Sequence, residues 1–524
     1  MSRTEAPSAP SAPSGVDPAA PRRARRARGE GARSVRVELF VVAFFIGVGV
    51  LATWPLALHL GTRTPADIGD PLENIWIFDW AAHALAHNPR DLFDANMFSP
   101  EPLTLAYAEN MLGLSVPVAP LIWLTGDPAL ATNVALIAVY ALGGWSTYLL
   151  ARDLTGQRCP AVLAGLLFTM GPYRLSQPAH LHVLAVYLTP LVLLLAFRLR
   201  RAPSLRLATL LGLAVGLQAW TSLTGALVTA VAVGAWLLWL LARERRAAAA
   251  TLGYTCAGLV LAGLVAFPVS LPYLRLREIH PEFEHPEDAV LEFSATPSSY
   301  LSTPDRTMLV SDSPYDRFRA RFTDERGAWE KRLFPGLVLS LAFIASLVAL
   351  RRALPSRRRA PPEPGGTPRW VVEASSFLVL GVVAFVVSLG PKWGARDGGA
   401  PLPFALLAEV LPAGNLSRVP ARVGTLVPLA MALVVALAVA AATPRARRAA
   451  LAVAFPLALL ELAPAPWRLP APPARTAAHE AVAATTGFVV GLPTTEILPD
   501  AGVDASTVPL DTIHLYLSTA HHRP

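Results

Sequence analysis

The stretch GTRTPADIGDPLENIWIFDWAAHALAHNPRDLFDANMFSPEPLTLAYAENMLGLSVPVAPLIWLTG, residues 61–126, decides how the chain is read. It carries eight carboxylates (Asp67, Asp70, Glu73, Asp79, Asp91, Asp94, Glu101 and Glu109) against two arginines, Arg63 and Arg90, in a chain of formal net charge +8. Apolar runs precede and follow it. An acidic loop of this length between apolar runs is an uncommon connector, and it marks a candidate site at a membrane surface. Within it, residues 72–85 have helical spacing that brings Ile75, Trp76, Asp79 and His83 near one face. Trp76, Phe78 and Trp80 suit a helix at the membrane–water boundary. Residues 111–124, interrupted by Pro117 and Pro120, are too short to cross a bilayer and read as a re-entrant or interfacial helix.

Composition supports that frame. With 53% hydrophobic and 16% charged residues in 524, and a mean hydropathy of +0.44, the chain is too apolar for a soluble protein of its size. It reads as an all-α polytopic membrane protein. The positive charge lies in short arginine clusters flanking apolar runs, where it acts as a topology signal, so nucleic acid is set aside as a partner. Lysine occurs only at Lys331 and Lys392, and the excess of Arg, Ala and Pro reflects a GC-rich genome. Cys159 and Cys256 have no CxxC spacing, which argues against a disulfide framework or a thiolate metal site. No Walker or glycine-rich nucleotide loop is present, which disfavours an ATP-driven pump.

Residues 1–33, rich in Pro, Ala, Ser and Arg, read as a disordered basic tail. The apolar run after them, continued to Leu58, is about one bilayer thick and reads as an uncleaved first span with a cytoplasmic N-terminus. A cleaved signal peptide is the alternative, but no cleavage site follows promptly. Further spans fall near 128–150, 159–171, 181–198, 206–221, 223–242, 250–271, 332–351, 370–389, 423–442 and 447–463, about eleven in all, with 159–171 and 206–221 short. This count puts the arginine clusters at 152–158, 198–206, 243–246, 351–359 and 445–448 on one side of the membrane, the cytoplasmic one. The loops 59–127, 272–331 and 390–422 and the segment 464–524 then lie outside. The domain plan is a tail (1–33), a transmembrane domain (34–463) and an extracytoplasmic C-terminal segment (464–524). That last segment opens on a Pro/Ala hinge and shows a β-like run at 486–493. It reads as the start of a small α/β domain, cut short relative to related chains.

A first span followed by a long outer loop opening GDPLENIW (69–76), two interfacial helices and many further spans resembles the C-type superfamily of integral-membrane glycosyltransferases. The likeness extends to bacterial proteins related to its protein mannosyltransferase and arabinosyltransferase branches. Further landmarks in order are LFDANMFSP (92–100), LAYAENMLG (105–113), GPYR (171–174), FSATPSSYL (293–301), LFPG (333–336), RVPARV (418–423) and YLSTAHHRP (516–524). The resemblance implies a bacterial inner-membrane enzyme that moves a sugar from a polyprenyl-phosphate donor to an extracytoplasmic lipid, glycan or protein. It also implies a carboxylate at the outer end of the first span, here Asp70 with Glu73 one turn on. A lipid or glycan transporter or flippase, and a non-catalytic protein of the same fold, are the competing readings. A transporter would place charges mid-membrane and show inverted repeats, and neither is visible.

The chemistry requires a carboxylate to take the acceptor proton and cations to stabilise the leaving phosphate. Asp70 and Glu73 suit the first role, although GDP before a helical run also makes Asp70 a helix N-terminal carboxylate. Glu109 is a further carboxylate at a membrane boundary. Arg418 and Arg422 suit the second role. Interfacial anchoring is the alternative for them, but cations on the outer side run against the topological bias. Arg174 is expected to join the phosphate site. His180 and His182 have His-x-His spacing that admits either a metal or hydrogen bonding within the bundle, and the second is expected. No metal site is assigned, and dependence on a divalent metal stays open. The loop 278–292 reads as a solvated flexible segment, with capping or acceptor binding as the lesser alternative. Membrane lipids are partners by composition; the oligomeric state is not encoded in any pattern found.

Overall fold

The computed structural model describes residues 20–243, 248–303, 329–354, 367–395, 397–410, 418–463, 466–474, 477, 481–482 and 510–522. Among them the chain is helical with no strand. The β-like run at 486–493 lies outside the described residues. In chain order the helices are α1 (Ala20–Ala52), α2 (Asp70–His87), α3 (Leu112–Thr125), α4 (Pro128–Thr155), α5 (Arg158–Thr169), α6 (Pro172–Leu175), α7 (Leu181–Leu184), α8 (Leu188–Arg201) and α9 (Leu205–Thr221). They continue with α10 (Leu223–Arg243), α11 (Ala248–Ile279), α12 (Glu287–Glu292), α13 (Leu337–Ala353), α14 (Arg369–Ser388), α15 (Pro403–Val410), α16 (Leu426–Ala441), α17 (Pro444–Glu461) and α18 (Leu510–Ser518).

Each apolar run marked as a span overlaps a helix, although residues 332–336 are not helical and the 181–198 run is broken between α7 and α8. Among the described residues seven helical runs are long and apolar enough to cross a membrane: Val35–Ala52, Pro128–Thr155, Leu181–Arg201, Leu223–Arg243, Ala248–Ile279, Arg369–Ser388 and Pro420–Ala441. α5 and α9 are apolar but shorter. α13 and α17 carry arginines at one end. The protein is thus a multi-pass helical membrane protein. Residues 20–33, expected as disordered tail, continue α1 instead, because their Ala and Arg content favours helix.

Local chemistry sets the boundaries. The Asp127 carboxylate accepts the Leu130 N–H at 2.9 Å to open α4, followed by Pro128, and Gly156 closes that helix in the left-handed conformation. Ser204 and Thr443 open α9 and α17 in the same way.

α16 is the central helix, packed on α5, α13 and α14. Its most apolar window is 83% buried, against 22% for α11, whose Val260, Leu264 and Phe267 face outward as a lipid-solvated surface. Phe45, fully buried, sits between Gly144 and Gly165, where no larger residue would fit. α9 and α11 approach through Gly212 and Gly258: a side chain at Gly212 would begin 2.4 Å from the Gly258 carbonyl oxygen.

α2 departs from its expected role. Trp76, Phe78 and Trp80 are buried in protein and do not anchor an interfacial helix. The Trp76 Nε1–H donates to Asn96 Oδ1 (2.9 Å) and the Trp80 Nε1–H to the Leu92 carbonyl (2.9 Å), so the polar edges of the rings are satisfied internally. α18 covers the same helix, packing Ile513, Tyr516 and Leu517 on Ile68, Leu72 and Ile75. The 111–124 stretch is the short helix α3, with both prolines inside it.

Gly212→Val should lower stability by about 1–3 kcal/mol through overpacking at the α9–α11 crossing. Gly263→Ala, with nothing within 4 Å of the new methyl, should leave it within about 0.5 kcal/mol. Equilibrium unfolding of the two variants in detergent checks the difference.

Candidate functional site

α2 starts at Asp70, with Pro71 and Glu73 in its first turn. The Asn74 Nδ2–H donates to the Ala179 carbonyl at 2.8 Å and brings the helix start against the 176–182 turn. Asp70 Oδ2 there lies 2.9 Å from His180 Nε2, with 47% of the Asp70 side chain still exposed. His180 Nδ1 faces Gln177 Oε1, whose amide is oriented by donation from Nε2 to the Trp329 carbonyl (3.3 Å) and to Glu330 Oε2 (3.5 Å).

Glu330, 1% exposed, is the hub. Its Oε2 accepts from the Tyr173 hydroxyl at 3.2 Å, and its Oε1 accepts from Arg422 Nη2 at 2.5 Å and Nε at 3.1 Å. The third Arg422 nitrogen, Nη1, donates to His182 Nε2 at 3.1 Å. A continuous polar chain thus runs from Asp70 through His180, Gln177 and Glu330 to Arg422 and His182. Beneath it Tyr173, Val183, Phe293, Ala295, Leu333, Leu389, Val419 and Ala421 form one apolar cluster.

The two α2 carboxylates are electrostatically unlike. Burial pushes the Asp70 carboxyl up, but the hydrogen bond and charge of His180 and the charge of Arg422 outweigh it and hold the group below its usual range. Burial and the adjacent Asp70 carboxylate push Glu73 up to about 7. Burial also opposes ionisation of Glu330, and Arg422 overcomes it, so that carboxyl too lies below its usual value.

Beside the chain lies a cavity of about 640 Å³. Leu223, Thr224 and Leu227 of α10, Tyr273 and Leu276 of α11, and the charged Glu109, Arg277, Glu282, Glu284, Arg418 and Arg422 are among its lining residues. Arg418 Cζ lies 4.8 Å over the Phe293 ring. The 280–286 segment is largely exposed, as expected of a solvated loop, and most of it also lines this cavity.

The expected site residues divide. Asp70, Glu73, His180, His182 and Arg422 come together, and Arg418 shares the cavity wall with Arg422. Glu109 lines the cavity but is committed to structure: its carboxylate accepts the Leu223 and Thr224 N–H groups at 2.7 and 2.8 Å, capping α10. Arg174 does not join the phosphate site. It is 2% exposed, its guanidinium lies against the Phe168 and Tyr140 rings at 4.9 and 5.7 Å, and its nitrogens have no hydrogen-bond partner among the described residues. His180 and His182 turn to different partners, Asp70 and Arg422, so the His-x-His spacing does not make a chelate. Among the described residues no group of three or more His, Cys, Asp or Glu is placed to hold a metal. Glu330, Gln177 and Tyr173 were not anticipated. The available signal was Arg422 itself, since a cation at a span boundary calls for a counter-ion.

No protein-family model matches the chain, and no curated protein matches it either.

Glu330→Ala should destabilise the protein by about 3–5 kcal/mol by leaving Arg422 buried and unpaired, and Glu330→Ala combined with Arg422→Met should recover most of that loss in thermal unfolding. Glu73 gives a pH signature. Between its ordinary value of 4.5 and about 7 the folded chain holds a proton that the unfolded chain releases, so stability falls as pH rises through that window. Glu73→Gln should flatten this slope in unfolding measured across pH 4.5–7, and an unchanged slope would contradict the assignment.

Proposed function

We propose that the protein is a C-type integral-membrane glycosyltransferase that transfers a sugar from a polyprenyl-phosphate donor to an extracytoplasmic hydroxyl. One observation carries the reading: a half-exposed carboxylate, Asp70, is tied by a hydrogen-bonded chain to an arginine, Arg422, which with Arg418 lines a cavity of mixed apolar and charged residues. An amphipathic lipid phosphate matches that polarity, with its chain against Leu223, Leu227 and Leu276 and its phosphate toward Arg418 and Arg422.

In the proposed reaction Asp70 takes the proton of the acceptor hydroxyl as its oxygen bonds to the anomeric carbon. The bond from that carbon to the phosphate oxygen breaks, and polyprenyl phosphate leaves with its charge facing the arginines. His180 orients Asp70 and keeps it ionised. Arg422, already paired with Glu330, offers the phosphate part of its charge, whereas Arg418 has no carboxylate partner among the described residues and is the more available cation. The reading includes about eleven spans in a bacterial inner membrane, with the N-terminus cytoplasmic and the site on the outer side.

Asp70→Asn keeps the shape of the side chain and loses its basicity, so it should cost about 10²–10⁴-fold in transfer rate while the purified protein stays folded. Wild-type turnover by the purified variant would remove Asp70 from the mechanism. Alkaline phosphatase fused after residues 100 and 300 should be active, and inactivity at both would overturn the orientation.

A further inference from the structure

At the mouth of the cavity two loops set aromatic rings beside carboxylates. Phe98 stacks on Tyr107 (centroids 5.6 Å apart, 25° between planes), Tyr107 meets Phe283 edge-on at 5.0 Å, and Phe283 stacks on His280 at 4.8 Å. The polar groups interleave with the rings. His280 Nδ1 lies 2.8 Å from Glu282 Oε1, its Nε2 lies 3.4 Å from Glu101 Oε2, and the Tyr107 hydroxyl is 3.5 Å from the same nitrogen. Tyr107, His280, Glu282 and Phe283 line the cavity. Phe98 and Phe283 nevertheless remain 54% and 40% exposed, so neither ring is spent on the core.

We propose that this ledge, formed by Phe98, Tyr107 and Phe283 with Glu101, His280 and Glu282, is a carbohydrate-binding subsite that seats a sugar ring of the acceptor. A pyranose presents a C–H face of positive edge character, which the negative face of an aromatic ring attracts, and equatorial hydroxyls that donate to carboxylates. Exposed aromatic faces alternating with carboxylates supply both complements in one place. His280 holds Glu282 and Glu101 beside the rings through its two nitrogens. A membrane anchor would use the same aromatics, but it would gain nothing from Glu101 and Glu282 beside them. That the ring belongs to the acceptor rests on the glycosyl-transfer reading; ring binding itself is tested without turnover.

The test is saturation-transfer NMR with the full chain in lipid nanodiscs and the methyl glycosides of glucose, galactose, mannose and arabinose as probes. The expected result is transfer to the ring protons of at least one glycoside, with binding weakened about tenfold in Phe283→Ala and in Tyr107→Ala and retained in Phe283→Trp. Unchanged unfolding temperatures establish that the variants are folded, and Phe283→Leu replaces any that is not. Absence of transfer from the wild type to all four glycosides overturns the proposal, and so does undiminished transfer in the folded variants. Release of polyprenyl phosphate is followed in parallel. Glycoside binding without donor turnover would leave the ledge standing and the glycosyltransferase reading fallen; turnover without glycoside binding would do the reverse.

Discussion

The ion pair between Arg422 and Glu330 is the contact on which the site depends. Both side chains are withdrawn from water, where either charge alone would be costly, and the pair is completed by Tyr173 and His182. Such a pair adds little net stability over an apolar replacement, but it admits very few arrangements. It fixes the start of α16 against the 173–182 turn and the segment before α13. Asp70 then reaches the same network through His180, so the position of the α2 carboxylate depends on a contact far from it in sequence.

That dependence separates what could be read in the sequence from what could not. Apolar length located the helices, because each run that buries itself in lipid or in the bundle is marked by its own composition. The short landmarks were also legible as a set. GPYR, FSATPSSYL, LFPG and RVPARV meet in the apolar cluster under the site, and GDPLENIW, LFDANMFSP and YLSTAHHRP meet where Trp76, Asn96 and Ser518 are hydrogen-bonded in series. Pairings between loops leave no periodic trace. Glu109 has the composition of a catalytic carboxylate and serves as a helix cap, while Glu330, in an unremarkable GAWEKR context, is the hub. Trp76 and Trp80 look interfacial because their amphipathic rings suit a bilayer boundary, yet Asn96 and the Leu92 carbonyl satisfy them inside the protein. Arg174 shares its end of the bundle with the site and is turned into the bundle by Phe168 and Tyr140.

The proposed chemistry draws on the unequal environments of two carboxylates one turn apart. Asp70 has a cationic partner and solvent access, and it stays ionised. Glu73 has burial and a negative neighbour, and it holds its proton toward neutrality. An ionised carboxylate beside one that keeps its proton to higher pH suits the proposed proton transfer at a membrane surface, and the arginines lining the neighbouring cavity suit the proposed departing phosphate. The Glu330 network links Asp70 to Arg422 by hydrogen bonds.

The central claim is that a lipid-linked phosphate sugar is consumed at this site. Its most direct measurement is reconstitution of the full chain in liposomes with a panel of polyprenyl-phosphate sugars, scoring release of polyprenyl phosphate. Release from at least one member of the panel, dependent on the protein, is the predicted result; intact donor throughout the panel, with the protein shown to be folded and inserted, would contradict it.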